Sequence, residues 1–222
     1  MGRGLFITGT DTDVGKSYVT ALLVKTLRSA GYDVGYYKAA ISGARTVEES
    51  DAGFVNRFAQ ICEPEDMLLS YLYQNAVSPH LAARIEGNPV EKDVIMSAWE
   101  RVTAAYPYVT MEGSGGIVCP IRHDEKAVYY LEDIIRWLRL PVLVIADAGL
   151  GTINRVVTTC EYIRRRNISV KGIILNHWKG GVMEEDNVEM IEEITGMKVL
   201  ARVKKGDTAL DIDPKTIISL YE

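Results

Sequence analysis

Short apolar runs rich in β-branched residues alternate along the chain with longer segments in which apolar residues recur at helical spacing. The short runs are apolar at consecutive positions rather than at every second one, which is typical of strands in a parallel sheet that helices cover on both faces. The segments predicted as strands are GLFIT (4–8), VGYYK (34–38), YVTME (108–112), VLVIAD (142–147), KGIILN (171–176) and KVLARV (198–203).

The segments between these runs carry the helical pattern. In Ser17–Ala30 a leucine-rich stripe falls on one face, and Gly31 follows as the predicted C′ residue. Further helices are predicted at 51–60, 90–105, 131–138, 152–167 and 184–195. Because strands and helices alternate, the connections should be right-handed crossovers. The predicted fold class is therefore α/β, with one mostly parallel, doubly wound sheet flanked by helices in a single domain over 1–222.

Composition and charge narrow the classes of function. A net charge of −5 argues against a large nucleic-acid-binding face, and the basic cluster 164–166 is predicted to close a helix, where cations complement the dipole. Cys62, Cys119 and Cys160 lie far apart with no CxxC pair, which indicates reduced, mostly buried thiols. No apolar run approaches the roughly 20 residues that span a bilayer, and GLFIT is too short for a signal peptide. We therefore expect a cytoplasmic protein that binds neither membranes nor nucleic acid.

The segment GTDTDVGKSYVT (9–20) stands between a predicted strand and a predicted helix, which is the setting of a phosphate-binding loop. It fits the pattern G-x-x-x-x-G-K-[ST] except at the first position, where Thr10 follows Gly9. Successive N–H groups from Asp13 to Ser17 and the helix N-terminus favour a bound phosphate. Lys16 would bridge the β- and γ-phosphates, and the Ser17 hydroxyl would ligate Mg²⁺. The alternative is a glycine-bearing turn capped by Ser17.

Three further candidates lie where predicted strands end, at the sheet edge that binds ligands in open parallel folds. Lys38 ends VGYYK and would point into the same crevice as Lys16, although a surface strand cap is the alternative. Asp51 is by itself more typical of a helix N-cap, but together with Lys38 and Glu112 it is a candidate metal ligand. Glu112, in the segment MEGSGG (111–116), ends the predicted strand YVTME, where a second Mg²⁺ ligand is needed. The glycines that follow let the backbone approach a nucleotide.

Three remaining segments carry weaker signals. GLGTIN (149–154) opens a predicted helix whose free N–H groups would form an anion site, and a glycine-rich turn with a Thr152 cap is an equal alternative. His80 has no acid or second histidine at ligand spacing, so we interpret it as structural or substrate-lining. The segment RHDE around His123 is predicted to be a solvated loop.

The motifs GTDTDVGKS, YYKAAISG, SDA, SPH, MEGSGG, GLGTIN and ILN occur in one order that resembles the dethiobiotin synthetase family over almost the whole chain. The resemblance implies a homodimeric, single-domain, P-loop NTPase-like fold. It also implies a ligase that closes a ureido ring on 7,8-diaminopelargonate with CO₂ or bicarbonate and Mg·ATP, through carbamate and carbamoyl-phosphate-type intermediates. ATP would be a co-substrate and Mg²⁺ the cofactor.

The resemblance also implies a role for each matching residue. The catalytic residues would be Lys16 and Lys38, and the magnesium ligands would be Ser17, Asp51 and Glu112. The ATP-binding residues would be Asp13, Val14, Gly15, Lys16, Ser17, Tyr18, Asp51, Glu112, Gly113, Ser114, Gly115, Asn176 and His177, with Asn176 reading adenine. The substrate-binding residues would be Thr12, Ser42, Gly151, Thr152 and Asn154, with the helix that begins at Thr152 holding the substrate carboxylate across the dimer.

Two departures from the family and two alternatives remain. Ala39 stands where the family usually has proline, which predicts a looser turn, and VKKGDT (203–208) replaces a proline-containing segment. A nucleotide-switched P-loop ATPase is one alternative, disfavoured because Asp11 stands where a signature lysine is expected. An amide ligase resembling cobyrinic acid a,c-diamide synthase is the other, disfavoured because the chain has no room for a glutaminase domain. Asp11 and Asp13 are expected to face a cationic partner.

Overall fold

A computed structural model describes residues 2–222. Within them, a seven-stranded, wholly parallel sheet has the order β3-β2-β4-β1-β7-β8-β9, and β5 and β6 form a separate antiparallel pair. The strands are β1 (Arg3–Gly9), β2 (Val34–Ser42), β3 (Leu69–Tyr73), β4 (Tyr108–Gly116), β5 (Pro120–His123), β6 (Val128–Tyr130), β7 (Val142–Asp147), β8 (Val170–Asn176) and β9 (Val199–Arg202). The predicted α/β class with one doubly wound parallel sheet is confirmed.

Helices cover both faces of this sheet. They are α1 (Lys16–Ser29), α2 (Asp51–Phe58), α3 (Glu65–Leu68), α4 (Pro79–Ile85), α5 (Lys92–Ala105), α6 (Leu131–Leu138), α7 (Thr152–Arg164), α8 (Val182–Thr195) and α9 (Pro214–Ile218). Alternate residues of β1 separate the two core layers. Leu5 and Ile7 pack with the apolar faces of α1, α2 and α9, whereas Phe6 packs with α4 to α8. This burial on both faces explains the continuous apolar runs.

The predicted strands exist, but several bounds differ. β2 continues four residues beyond Lys38, to Ser42. Lys38 is therefore inside a strand and not at its end, so neither the strand-cap alternative nor the looser turn at Ala39 holds. β4 likewise runs through the glycines to Gly116. The helices predicted to reach 60 and 167 end sooner, and Gln60 and Asn167 have left-handed backbones that cannot continue a helix.

Some elements were missed or misjudged from the sequence. β3, α3, α4, α9 and the β5–β6 pair were not predicted. The RHDE segment is not a solvated loop, because its first two residues belong to β5 and the Arg122 side chain is buried. Arg122 forms ion pairs with Glu91 at 2.6 Å and Asp124 at 2.7 Å. Among the described residues the cysteines form no disulfide, with Cys62 exposed and the other two buried.

The basic cluster at 164–166 straddles a helix end. α7 ends at Arg164, whose guanidinium donates to the Thr195 carbonyl at 2.6 Å. Arg166 pairs with Glu132 at 3.0 Å and stacks on the Tyr162 ring. The cluster is therefore structural, as the sequence indicated. Across the described chain, no helix is long and apolar enough to cross a membrane.

Candidate active site

The loop between β1 and α1 has the backbone of a phosphate-binding loop. Gly15 has a φ of +80° and is the N-cap of α1, so the loop turns sharply just before the helix. A Cβ at Gly15 would lie 2.1 Å from Asn176 Nδ2, so both the conformation and the close contact require glycine. Asp13, with φ 61°, is a second left-handed residue in the loop. Ser17 makes no capping bond, so the simple capped turn is not what the structure contains.

Lys16 is buried beside this loop, with Nζ 3.0 Å from the carbonyl oxygen of Asp11. Burial lowers the pKa of Lys16, and the nearby Lys38 ammonium lowers it further, while Glu112 and Asp51 oppose the shift. The lysine of the loop therefore sits near a second cation as well as two carboxylates. Two ammonium groups close together form a site for a highly charged anion.

Lys38 is buried at the centre of a polar cluster. Its Nζ is 2.8 Å from Glu112 Oε1 and 2.6 Å from Asp51 Oδ2. Ser17 Oγ donates to the same Glu112 Oε1 at 2.7 Å. Lys38 and Glu112 are direct neighbours in the register of β2 and β4, so the sheet itself sets their pairing. The three residues predicted as metal ligands thus converge around one ammonium group.

The charges of the cluster depend on one another. Burial disfavours a charged Lys38, but the Glu112 and Asp51 carboxylates outweigh it and raise the lysine pKa. Burial alone would raise the pKa of Asp51, and the Lys38 ammonium reverses this and lowers it. Tyr36 is fully buried and its hydroxyl donates to Glu112 Oε2 at 3.2 Å; burial and that carboxylate raise its pKa well above the usual value. Lys38 and Asp51 are therefore charged at neutral pH.

The donor set of this cluster fits a magnesium ion. Ser17, Asp51 and Glu112 offer a hydroxyl and two carboxylates, the hard oxygen ligands that Mg²⁺ prefers, around one point. No group of three or more His, Cys, Asp or Glu side chains within 2–222 is arranged to hold a metal. A magnesium ion here would therefore need oxygens of a bound ligand and water to complete its octahedron.

A cleft of about 320 Å³ opens above the loop. It is lined by Thr12, Asp13, Gly15, Lys16, Ser17, Tyr18, Lys38, Ile41, Ser42, Asp51, Ser114 and Gly115. All but Ile41 are residues predicted for catalysis or for binding the nucleotide, metal or substrate. Asp51 is the first residue of α2, and its side chain lines the cleft. It is not the N-cap of α2, because Ser50 caps that helix.

The remaining predicted residues lie behind the cleft or away from it. Val14 is buried in the core, and Glu112 is buried at the cleft floor beneath Lys38. Gly113 faces the core, since a Cβ there would lie within 3 Å of the side chains of Leu131 and Phe6. The lack of a side chain at Gly113 therefore allows this close packing against Leu131 and Phe6. Ser114, by contrast, lines the cleft, and its hydroxyl donates to the Ala40 carbonyl at 2.6 Å, which joins β4 to β2.

Asn176 and His177 flank the other side of the loop, at the end of β8. Asn176 Nδ2 donates to the Val14 carbonyl at 2.9 Å. His177 has a left-handed backbone, and its Nδ1 lies 2.7 Å from Asp147 Oδ2. This contact connects the ends of β7 and β8, and Asp147 also accepts from the Gly149 N–H at 2.7 Å. The Asp147–His177 pair was not predicted, and the acid ending VLVIAD was its only sequence signal.

The start of α7 lies outside the cleft of its own chain. Gly151, at φ +85°, is the N-cap, so Thr152 does not cap the helix. The Thr152 side chain is buried and its N–H donates to the Gly149 carbonyl at 3.2 Å. None of Gly151, Thr152 and Asn154 lines the cleft. The structure therefore does not bring these predicted substrate-binding residues together with Lys16 and Lys38 within one chain.

Solved structures of low sequence identity share this fold. A ParA family ATPase from Chlorobium tepidum superposes with a TM-score of 0.57 at 13% identity, covering 99% of this chain and 90% of that one. The signal recognition particle receptor FtsY from Elizabethkingia anophelis gives a TM-score of 0.58 at 14% identity, over 100% and 64% of the two chains. At such identities the similarity shows the P-loop NTPase fold and nothing of the reaction.

Sequence comparison is more specific. A family model described as an AAA domain matches residues 3–209. The "ATP-dependent dethiobiotin synthetase BioD" of Brachyspira hyodysenteriae is 48% identical over 223 residues, covering 100% of both chains. The enzyme of the same name from Clostridium kluyveri is 42% identical over 208 residues, covering 92% of this chain and 86% of its own. With such relatives matched over all or nearly all of its length, the chain belongs to the ATP-dependent dethiobiotin synthetase family.

Proposed function

We propose that this protein is an ATP-dependent ligase that closes the ureido ring of dethiobiotin on 7,8-diaminopelargonate, with CO₂ or bicarbonate as the carbon source. The observation that supports this proposal most strongly is that Lys16 of the phosphate loop and Lys38 of β2 line one cleft together with Ser17 and Asp51. A simple ATPase needs the loop lysine, but a second buried lysine suits a reaction with a second anion beside the γ-phosphate.

Three successive bond formations make up the proposed reaction. One amine adds to CO₂ and loses a proton, which gives a carbamate. The carbamate oxygen attacks the γ-phosphorus and ADP leaves. The second amine then attacks the carbonyl carbon and loses a proton, the C–O bond to phosphate breaks, and the cyclic urea and phosphate are released. Each step moves negative charge between groups within the cleft, so catalysis is mainly positioning and electrostatic stabilisation.

The residues of the cleft divide these tasks. Lys16 binds the β- and γ-phosphates, and Lys38 stabilises the carbamate and the transferred phosphoryl group. Ser17, Asp51 and Glu112 would hold Mg²⁺, which would neutralise phosphate charge when bound. Thr12 and Ser42 line the same cleft and would contact the diamine end of the substrate. Asn176 and His177 lie on the opposite side of the loop, where the nucleoside would bind.

A second copy of the chain would complete the site. α7 and α8 follow neighbouring parallel strands, so both begin at the sheet edge where the cleft opens. Leu150 and Val182, just before and at the start of these helices, are 85% and 90% exposed. Exposed large apolar side chains at this edge support a homodimer. In it, Gly151, Thr152 and Asn154 of one subunit would hold the substrate carboxylate bound to the other.

The cellular setting follows from the thiols. Three free cysteines suit a reducing compartment, so we expect the enzyme to act in the cytoplasm.

Turnover that requires both the diamine and bicarbonate tests this function. ADP and phosphate release should appear only when Mg·ATP, 7,8-diaminopelargonate and bicarbonate are all present, and ¹³C-bicarbonate should label the ureido carbon of the product. ATP hydrolysis without the diamine would instead favour a nucleotide-switched ATPase. Hydrolysis that requires ammonia and a carboxylic acid would favour an amide ligase.

A further inference from the structure

The two sides of the phosphate loop differ in chemistry. Lys38, Asp51 and Glu112 gather on the side of β2 and β4, where the γ-phosphoryl group would be transferred. A nucleotide whose phosphates lie over Gly15–Ser17 would then extend its nucleoside towards β8 and β9, the side on which Asn176 contacts the loop. On that side the chain leaves β9 and forms the turn Lys204–Asp207.

This turn is closed by its own hydrogen bonds. The N–H of Lys204 donates to Asp207 Oδ2 at 2.8 Å, and the N–H of Asp207 donates to the Lys204 carbonyl at 3.2 Å. Gly206 supplies the left-handed residue, with φ +94°. The turn thus keeps its own shape, but these bonds do not fix where it lies relative to the phosphate loop.

Tyr18 supplies that connection. Its hydroxyl donates to the carbonyl oxygen of Asp207 at 2.5 Å, and its ring packs edge-on against Phe58 with centroids 6.1 Å apart. Tyr18 also lines the cleft, one residue after Ser17. A phenol has a single proton to donate, and here that proton is committed to the turn. Tyr18 therefore acts on a ligand through the turn and not by donating to the ligand itself.

A second bond holds the same segment further along α1. The N–H of Leu210 donates to Thr26 Oγ1 at 2.9 Å, and both groups are buried. Thr26 lies about two helical turns beyond Tyr18, roughly 12 Å from the cleft. Two side chains of one helix thus fasten one segment, one at the cleft and one in the core. They form a matched pair in which only the Tyr18 bond adjoins the cleft.

We propose that Tyr18 is a nucleotide-positioning residue, whose bond to Asp207 fixes the Lys204–Asp207 turn as the wall against which the nucleoside binds. The inference rests on the proposed use of a nucleotide in this cleft and adds how its nucleoside end is held. Backbone bonds to Leu175 and Trp178 fix Val203, at the start of the turn, and the Tyr18 bond fixes its far end at Asp207. Without the Tyr18 bond that far end is released, and the nucleoside loses its wall while the phosphate contacts remain.

Paired binding measurements on Tyr18→Phe test this proposal. Phenylalanine keeps the ring and its packing against Phe58 and deletes only the hydroxyl. Calorimetry with Mg·ADP should show a Kd raised roughly three- to tenfold, the range for one lost neutral hydrogen bond. Inorganic tripolyphosphate, which has no nucleoside, should bind within twofold of the parent protein.

Thr26→Val is the matched control, because it deletes the other hydroxyl bond of the same segment and keeps the side-chain shape. It should lower the Tm by roughly 5 °C and leave the ADP affinity within twofold of the parent. Equal weakening of ADP and tripolyphosphate by Tyr18→Phe, no weakening of ADP, or equal weakening of ADP by both variants would overturn the proposal. None of these measurements needs the diamine, so a failure of the synthetase proposal shows separately as turnover that does not depend on diamine.

Discussion

Lys38 and Glu112 are direct neighbours on two parallel strands, and their side chains form an ion pair of 2.8 Å in which both partners are buried. Such a pair is costly to desolvate, and hydrophobic replacement of both partners is often no less stable. The pair is explained by its use in the proposed reaction. Lys38 supplies a fixed cation to the cleft, and the Glu112 and Asp51 carboxylates keep that lysine charged.

The first prediction concerns the role of Lys38 in turnover. Lys38→Ala should lower kcat by roughly 10²-fold or more, as removal of one preorganised transition-state donor does. Lys38→Gln keeps hydrogen-bonding capacity without charge and should be nearly as impaired. Steady-state rates at saturating Mg·ATP and diamine measure both, and near-normal activity in the glutamine variant would show that the positive charge is not needed.

The second prediction contrasts the stability effects of the two lysines. Lys38→Met leaves the Glu112 carboxylate buried without its cation, which costs about 3–5 kcal/mol and lowers the Tm by roughly 10 °C. Lys16 has a lowered pKa, so the folded state disfavours its charge. Lys16→Met should therefore leave the Tm unchanged or raise it. Thermal unfolding at pH 7 checks the contrast, and equal losses in the two variants would contradict it.

The same pKa shifts give the sign of the pH dependence. The raised pKa of Lys38 provides stability that is fully present below the ordinary value of 10.5 and is lost as the pH rises through the folded pKa above it. The lowered pKa of Asp51 provides stability present above 3.8 and lost as the pH falls through the folded pKa below it. The lowered pKa of Lys16 acts oppositely to Lys38, since stability rises as the pH rises from its folded pKa towards 10.5. The advantage of Lys16→Met should thus shrink in alkaline buffer.

The third prediction concerns magnesium. Asp51 is half-exposed and joins the cluster only through Lys38 and Ser17, so Asp51→Asn should fold normally. Loss of one carboxylate ligand should raise the Mg²⁺ concentration needed for half-maximal turnover by at least tenfold. Titration of Mg²⁺ at fixed ATP measures this, with Asp11→Asn as the control because Asp11 contacts Lys16 only through its backbone. Full activity in EDTA, or an unchanged requirement in Asp51→Asn, would rule out this ligand set.

The fourth prediction tests whether each site uses two subunits. Lys16→Ala removes the phosphate lysine, and Asn154→Asp places a repelling carboxylate at the start of α7. If α7 serves the partner's cleft, an equal mixture of the two inactive proteins forms heterodimers with one intact site and recovers about a quarter of the parent activity. If both residues serve the cleft of their own chain, every site carries a defect and the mixture stays inactive. Refolding the proteins together and assaying turnover distinguishes the two outcomes.

Particular residues show how far the sequence could predict this site. β1, β2, β4, β7 and β8 are buried on both faces, so their apolar runs identified them. The edge strand β3 alternates buried and half-buried residues over five positions and was missed. Lys38 and Glu112 were predicted as site residues from their positions, but their pairing depends on the β2–β4 register, which no local pattern encodes. The contact between Tyr18 and Asp207 joins residues 189 positions apart and had no sequence signal.

The last prediction concerns which nucleotides support turnover. Asn176 already donates one N–H to the Val14 carbonyl, which leaves its Oδ1 and one N–H for a base. The Lys204 and Lys205 side chains of the neighbouring turn are exposed, and lysine has donors but no acceptor. Their ammonium groups cannot accept a hydrogen bond from the exocyclic amine of adenine. They can donate to a base that carries a carbonyl oxygen, so they give adenine no advantage over such a base. Discrimination should therefore amount to about 1–3 kcal/mol, with GTP or CTP supporting turnover alongside ATP. Values of kcat/KM for the four nucleotides at fixed Mg²⁺ measure this preference, and strict dependence on ATP would show that other residues read adenine.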